Sequence, residues 1–290
     1  VKISLAKAMG SCFGVDDAVE MAMDHPEAED LTILGQLVHN PQTVGRLKSK
    51  GIRLVEGIDE IEKIETRNVM VTAHGAADMV KEKVVDAGFK LFDATCPLVQ
   101  HVHRTIKRMV TKGFFPIVIG EQKHVEVKGI VGDLDEYLVI KAASDIDLLA
   151  PEKRARLGIV SQTTQNYNNV NKIANEIQAR EDVKEVKFFN TVCKPTRERQ
   201  EAVEELSNEV DIMIVVGGKN SSNTRKLKLL CDKKGIAAYH IESSKELQLD
   251  WFKNKQHVGI TAGTSTPFHV IDLIHEEIRE LTDKVESNLS

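Results

Sequence analysis

One structural phrase occurs three times along this chain, and each time it ends in a cysteine. The phrase is a short apolar run, a small polar residue, the cysteine and then an amphipathic stretch. KISLAKAMGSC precedes FGVDDAVEMAM, FKLFDATC precedes PLVQHVHRTIKRM, and VKFFNTVC precedes KPTRERQEAVEEL. Cys12, Cys96 and Cys193 therefore each stand where a strand hands over to a helix. A repeat of whole supersecondary phrases restricts the fold to similarly built units, so the three thiols read as one constructed site.

Three further elements keep the same register. An apolar strand ending in glycine and a polar loop follows each cysteine, in LTILGQLVHN, FFPIVIGEQKH and VDIMIVVGGKNSSN, with Gly35, Gly120 and Gly217 falling 23, 24 and 24 residues after Cys12, Cys96 and Cys193. Next come short strands with an acidic, apolar sequel (GIRLVEGIDEI, EYLVIKAASDI, AAYHIESSKEL), then apolar runs closing on small polar residues (VMVTAHG, LGIVSQTT, VGITAGTS). Strands alternating with helices, and apolar enough to be buried on both faces, indicate α/β units, each with a four-stranded, mostly parallel sheet.

The chain ends fit the same count. The first unit closes with FKLFDATC and the second with VKFFNTVC, but the third runs out in PFHVIDLIHEEIREL with no closing strand. The unpaired KISLA segment is expected to complete it. The expected organisation is three pseudo-threefold-related α/β units, 13–96, 97–193 and 194–290, with strand 1–12 joined to the last. A ring of this kind turns the cysteines towards one another. It also gathers polar loops at the carboxyl ends of strands, where helix N-termini present free N–H groups.

Bulk properties narrow the function classes. A formal net charge of -5, with basic and acidic residues interspersed, offers no basic stripe for a phosphate backbone, so nucleic acid is not an expected partner. VKISLAKAMGSCFGV lacks a basic segment followed by an apolar core, and no apolar run reaches membrane-spanning length. The expected location is the cytoplasm. There, matched thiols bind metal or react more often than they form disulfides.

The thiol pattern selects among metals. A structural zinc site takes four ligands, its sulfurs usually in close C-x-x-C pairs, and no such pair is present. Three thiolates from distant segments suit one four-iron four-sulfur cluster with three cysteinyl irons and one open iron, because the inorganic core fixes the geometry. The units are thus expected to surround a central iron–sulfur cluster whose open iron binds a substrate oxygen. Cys231, in RKLKLLCDKKG, occupies an apolar helical position away from any strand end and reads as a small buried hydrophobe.

Polar residues collect in the same loops. His39 (LVHN) and His124 (KHVEV) occupy corresponding loops, where the third unit has Lys219, Asn220, Ser221, Ser222 and Asn223. His74 (TAHG) is echoed by Thr163 and Thr164, and by Thr264 and Ser265. Together these groups can hold a diphosphate with helix N-termini behind them. Singly, each histidine also reads as an ordinary loop or capping residue, and GGKNSSN as a capping turn. Glu126 lies two residues beyond His124, which in an extended segment puts both side chains on one face. A carboxyl group held near other negative charge stays protonated more readily and can donate a proton; alone it also reads as a solvated loop glutamate.

At these residues the sequence resembles the 4-hydroxy-3-methylbut-2-enyl diphosphate reductases, the IspH or LytB family, from Val1 to about Leu281. The motifs are CFGV at Cys12, VHN at His39, AHG at His74, DATCPLV at Cys96, HVEV at His124, QTTQ at Thr163, NTVC at Cys193, GGKNSSNT at Ser221 and TAGTSTP at Ser265. The resemblance implies reductive removal of the allylic hydroxyl of (E)-4-hydroxy-3-methylbut-2-enyl diphosphate, giving isopentenyl and dimethylallyl diphosphate. It implies Cys12, Cys96 and Cys193 as cluster ligands, and His39, His74, His124, Ser221, Ser222, Asn223 and Ser265 as the diphosphate shell. Thr163 is implied to orient the substrate hydroxyl, Glu126 to deliver protons, and a reduced ferredoxin or flavodoxin to supply electrons.

Three positions depart from the usual family pattern. Val125 replaces the proline after His124, Asp17 stands where a basic residue is frequent, and Pro195 replaces an alanine after Cys193. None removes a ligand, and a proline near a helix start costs little. Two other functions share parts of the pattern. An aconitase-type hydro-lyase uses an open iron without net electron transfer, and an iron–sulfur redox sensor needs the cluster without the phosphate-binding shell.

Overall fold

Parallel strands covered by helices must be apolar on both faces, and the repeated runs meet that condition. The structure, a computed structural model, describes residues 1–287. In chain order its elements are β1 (Lys2–Leu5), α1 (Phe13–Met23), β2 (Leu31–Leu34), α2 (Pro41–Ser49), β3 (Arg53–Val55), β4 (Asn68–Val71), α3 (Asp78–Asp86), β5 (Lys90–Asp93), α4 (Pro97–Val110), β6 (Phe115–Ile119), α5 (Val125–Val131), β7 (Leu138–Ile140), β8 (Arg156–Ser161), α6 (Tyr167–Gln178), β9 (Glu185–Phe188), α7 (Lys194–Leu206), β10 (Ile212–Val216), α8 (Ser222–Lys233), β11 (Ala237–Ile241), β12 (His257–Ala262) and α9 (Phe268–Ser287). The end of the expected third unit, 288–290, lies outside the described residues.

The strands form three four-stranded sheets of the same order: β3-β2-β4-β5, β7-β6-β8-β9 and β11-β10-β12-β1. Every pairing is parallel. β1 lies beside β12, with Lys2 opposite His257 and Leu5 opposite Ile260. The N-terminal strand therefore takes the position that β5 and β9 hold in their own sheets. The chain divides into two compact units, one of residues 1–15, 39–43 and Lys194 onward, the other of 16–38 and 44–193. The first holds the β10 sheet and the second holds the other two.

Alternation along the central strands of the β10 and β6 sheets supplies a core on each face, since successive side chains point to opposite sides. Ile212, Ile214 and Val216 pack with Ile260 of β12 and with Ile271, Ile274 and Ile278 of α9. Met213 and Val215 meet Val203 of α7 and Leu227 and Cys231 of α8. In the other unit Ile117 and Ile119 pack with Ile159, Ile173 and Ile177. Val118 and Val160 turn to Val102, Ile106 and Met109 of α4 and to Val127 and Ile130 of α5. Each such buried branched or long side chain contributes about 1.5–3 kcal/mol relative to exposure. These cores hold the strand ends that carry the polar motifs.

Candidate active site

The sequence repeat is also a repeat of hydrogen bonds. Cys12 and Cys193 immediately precede α1 and α7, and Cys96 is the N-cap of α4. The backbone N–H of each cysteine donates to the loop after the adjacent strand: Cys12 to Thr264 O at 3.1 Å, Cys96 to Ala73 O at 3.1 Å and Cys193 to Thr163 O at 3.0 Å. The three thiols are half-buried, whereas Cys231 is buried within α8. Burial pushes the Cys231 thiol up to about 11, which disfavours the thiolate that a metal needs.

Each of the three thiols stands in a setting that suits a metal-bound thiolate. Three half-buried sulfurs stand at helix starts, where free N–H groups favour a bound anion. Among the described residues, no group of three His, Cys, Asp or Glu side chains gathers to hold one metal ion.

In the unit of residues 16–38 and 44–193, β8 ends at a buried acid–hydroxyl pair. Glu126 is 2% exposed, and Thr163 contacts both its oxygens. The Thr163 backbone N–H donates to Oε1 at 2.6 Å and the Thr163 hydroxyl donates to Oε2 at 2.9 Å. With its carbonyl accepting from Cys193, Thr163 links the acid to a cysteine-bearing segment. The solvated-loop alternative for Glu126 is thereby excluded. His124 and His74 lie close by, their ring centroids 5.8 Å apart in an edge-to-face arrangement. The Thr72 hydroxyl is 3.5 Å from His74 Nδ1.

His124 and Glu126 are not on an extended segment, contrary to expectation. His124 is the N-cap of α5, its Nδ1 accepting from the Glu126 backbone N–H at 3.2 Å. Helix winding then turns Glu126 inward. The cause is close packing, since a Cβ at Gly129 would stand 3.2 Å from Gly75 O and one at Gly132 would stand 2.7 Å from Ala77 Cβ. Only a helix with a glycine face comes this near. Val125 occupies N1, a position favourable to the proline it replaces.

In the unit of residues 1–15, 39–43 and 194 onward, the β10–α8 loop forms the second polar group. Ser221 caps α8, its hydroxyl accepting from the Thr224 N–H at 3.3 Å, so the capping role is real. Ser222 and Asn223 follow, both buried. Asn223 is 1% exposed, and neither its amide nitrogen nor its oxygen has a partner. Such atoms cost about 1–3 kcal/mol when buried unsatisfied, and this marks a place where a polar ligand completes the structure. The Ser265 hydroxyl donates to His39 O at 3.2 Å. A Cβ at Gly218 would stand 2.3 Å from the same carbonyl oxygen, so only glycine lets the two loops meet. Burial, reinforced by the Arg225 charge, holds the His39 imidazole below its ordinary range.

His39 and His124 stand equally far beyond Gly35 and Gly120, but their helices start one residue apart. Asn40 rather than His39 caps α2, its Oδ1 accepting from Gln42 and Thr43 N–H at 3.0 and 3.1 Å. Gln162 was not anticipated. It is fully buried, and its Oε1 accepts from the Glu121 N–H at 3.1 Å, bracing the loop that leads to His124. Its place at the head of QTTQ was the available signal.

These features define a repeated parallel α/β protein whose thiols, acid and phosphate-binding side-chain types collect at strand ends. The chain belongs to the LytB protein family, whose profile matches residues 3–279. It is 39% identical to the 4-hydroxy-3-methylbut-2-enyl diphosphate reductase of Aquifex aeolicus, over 98% of each chain. The enzyme of the same name from Geobacter sulfurreducens is 35% identical, over 98% of this chain and 99% of that one. A solved (E)-4-hydroxy-3-methyl-but-2-enyl diphosphate reductase, described as the terminal enzyme of the non-mevalonate pathway, matches with 38% identity and TM-score 0.68, covering 97% of this chain and 99% of that one. The reductase structure from Plasmodium falciparum shares the fold, with TM-score 0.87 at 24% identity over 97% of this chain and 88% of that one.

Proposed function

We propose that this chain is a 4-hydroxy-3-methylbut-2-enyl diphosphate reductase. It converts (E)-4-hydroxy-3-methylbut-2-enyl diphosphate to isopentenyl and dimethylallyl diphosphate, the last step of the non-mevalonate route to isoprenoids. The reaction consumes two electrons and two protons, breaks the allylic C–O bond and releases water. The observation that carries the reading is the buried Glu126–Thr163 pair, tied through Thr163 to Cys193.

Cys12, Cys96 and Cys193 would hold one four-iron four-sulfur cluster, which would supply an electron store and a Lewis acid for the substrate oxygen. The chain's own residues do the rest. His39, Ser221, Ser222, Asn223 and Ser265, with His74 and His124, hold the diphosphate, and the unpartnered Asn223 amide meets it with donor and acceptor together. Thr163 orients the substrate hydroxyl through its own hydroxyl, and Glu126, when protonated on Oε2, passes that proton to the departing oxygen by reversing the contact, the Thr163 hydroxyl accepting from Oε2 as it donates onward. Glu126 and Thr163 are both buried, so the proton comes from the placed acid and not from bulk water.

We further read the units as 13–96, 97–193 and 194–290 with strand 1–12, the location as cytoplasmic and the electron donor as a reduced ferredoxin or flavodoxin. Among the described residues no helix is long and apolar enough to cross a membrane. The test is product formation by anaerobically cluster-loaded protein given the hydroxylated diphosphate and a one-electron reductant. A loaded preparation that forms neither product rejects the reading.

A further inference from the structure

The three cysteines are reached by connections of unequal length. Two residues separate β5 from Cys96, four separate β9 from Cys193 and six separate β1 from Cys12. Longer connections carry more conformational entropy and need more anchoring. The first two are tied locally. Before Cys96, the Asp93 carboxylate accepts from the Thr95 N–H at 3.0 Å and from the Thr95 hydroxyl. Before Cys193, the Thr191 hydroxyl donates to Ser161 O at 2.6 Å, and Asn190 Oδ1 accepts from the Val192 N–H at 3.1 Å.

The longest connection, besides backbone bonds from Ala6, Gly10 and Cys12 to residues 260–264, is held by one side chain from a distant helix. Arg199 of α7 is 6% exposed. Its Nε donates to Gly10 O at 3.0 Å, and its Nη2 donates to Gly10 O at 2.7 Å, Ser11 O at 3.0 Å and Met9 O at 3.4 Å. Nη1 closes on Pro195 O of its own helix at 2.9 Å, which fixes the fork. Three successive carbonyls are thus gathered on one planar cation. The backbone bend that presents them passes through Gly10 at φ +75°, where a Cβ would stand 3.0 Å from the Phe268 ring. The clamped segment ends one residue before Cys12, and the helix bearing the clamp starts one residue after Cys193.

We propose that Arg199 is a positioning residue for the metal centre. It sets the Cys12 loop against the helix that follows Cys193, and it places a buried positive charge beside two of the three cysteine-bearing segments. The inference rests on the cluster reading above for its electrostatic half and on hydrogen bonds alone for its structural half. A buried cation stabilises whichever redox state carries more negative charge, which is the reduced one. Lysine keeps the charge and loses the planar fork, whereas glutamine loses the charge.

The test compares Arg199→Gln and Arg199→Lys with the parent in cluster-loaded full-length protein. The readouts are the midpoint potential by EPR-monitored titration and amide hydrogen exchange at Gly10 and Cys12, whose N–H groups donate to Ala262 O and Thr264 O. Charge-assisted hydrogen bonds are the stronger kind, so loss of the clamp speeds exchange at these amides by about tenfold or more. The potential falls in Arg199→Gln and stays near the parent value in Arg199→Lys. Unchanged exchange at both amides, or equal potentials in Arg199→Gln and the parent, overturns the proposal. If Arg199→Gln fails to fold, Arg199→Lys decides: faster exchange at a retained potential supports the clamp, and parental exchange or a displaced potential refutes it. A parent chain that takes up no cluster defeats the functional reading instead, and exchange at Gly10 and Cys12 still judges the structural half.

Discussion

Thr163 contacts both carboxylate oxygens of Glu126, through its backbone N–H at 2.6 Å and its hydroxyl at 2.9 Å. One contact is therefore proof against side-chain substitution and the other is not. Glu126→Gln is expected to lower turnover by about 10²–10⁴-fold while cluster content and substrate affinity persist. Thr163→Ala keeps the backbone bond but loses the hydroxyl, and its cost falls on kcat more than on KM. Thr163→Ser restores most of the rate. Steady-state kinetics on the three variants check this, and near-parental turnover in Glu126→Gln removes that residue from the mechanism.

Asn223 offers a test of substrate binding that does not depend on the chemical step. Its buried amide has no partner, so Asn223→Ala breaks no internal hydrogen bond. Fold stability should stay within about 1 kcal/mol of the parent by chemical denaturation. The KM for the diphosphate substrate should rise by about tenfold or more, because a polar contact worth 1.4 kcal/mol or more is lost. An unchanged KM places the diphosphate elsewhere.

His103 of α4 predicts an acid sensitivity. Its Nε2 is buried without a partner, and burial, aided by the charges of Lys81 and Lys107, lowers its pKa to about 4. The unfolded chain takes up a proton near pH 6.5 while the folded chain does not, so stability is full above 6.5 and falls as pH drops towards 4. Through this residue the protein should be about 2 kcal/mol less stable at pH 5 than at pH 7.5. His103→Asn should flatten that difference in denaturant titrations at the two pH values. An identical pH dependence in parent and variant contradicts the assignment.

The parts of the fold and site that were legible in the sequence share one property: they repeat. The apolar runs of β2, β6 and β10, each followed by glycine, set three sheets in register, and the cysteines stood out because each closes the same phrase. Cys231 was separable because its neighbours follow a helical period and no strand precedes it. What was not legible depends on contacts between distant segments. VEVKGIV, the three-valine segment that forms α5, has the look of an extended segment, and only the approach of Gly129 and Gly132 to residues 75–77 makes it a helix. Arg199 was one charge among several in RERQE, since nothing local shows that it turns inward to bind the carbonyls of residues 9–11. The helix starts that make Asn40, rather than His39, the cap of α2 were equally invisible to residue spacing.

The most direct test of the central claim is product analysis on the anaerobically cluster-loaded protein given (E)-4-hydroxy-3-methylbut-2-enyl diphosphate with and without a reduced one-electron dye. Isopentenyl and dimethylallyl diphosphate should appear only with the dye, two electrons being consumed for each water released. Conversion of the substrate without reductant, as a hydro-lyase would achieve, or no conversion by protein shown to carry the cluster and to bind diphosphate, contradicts it.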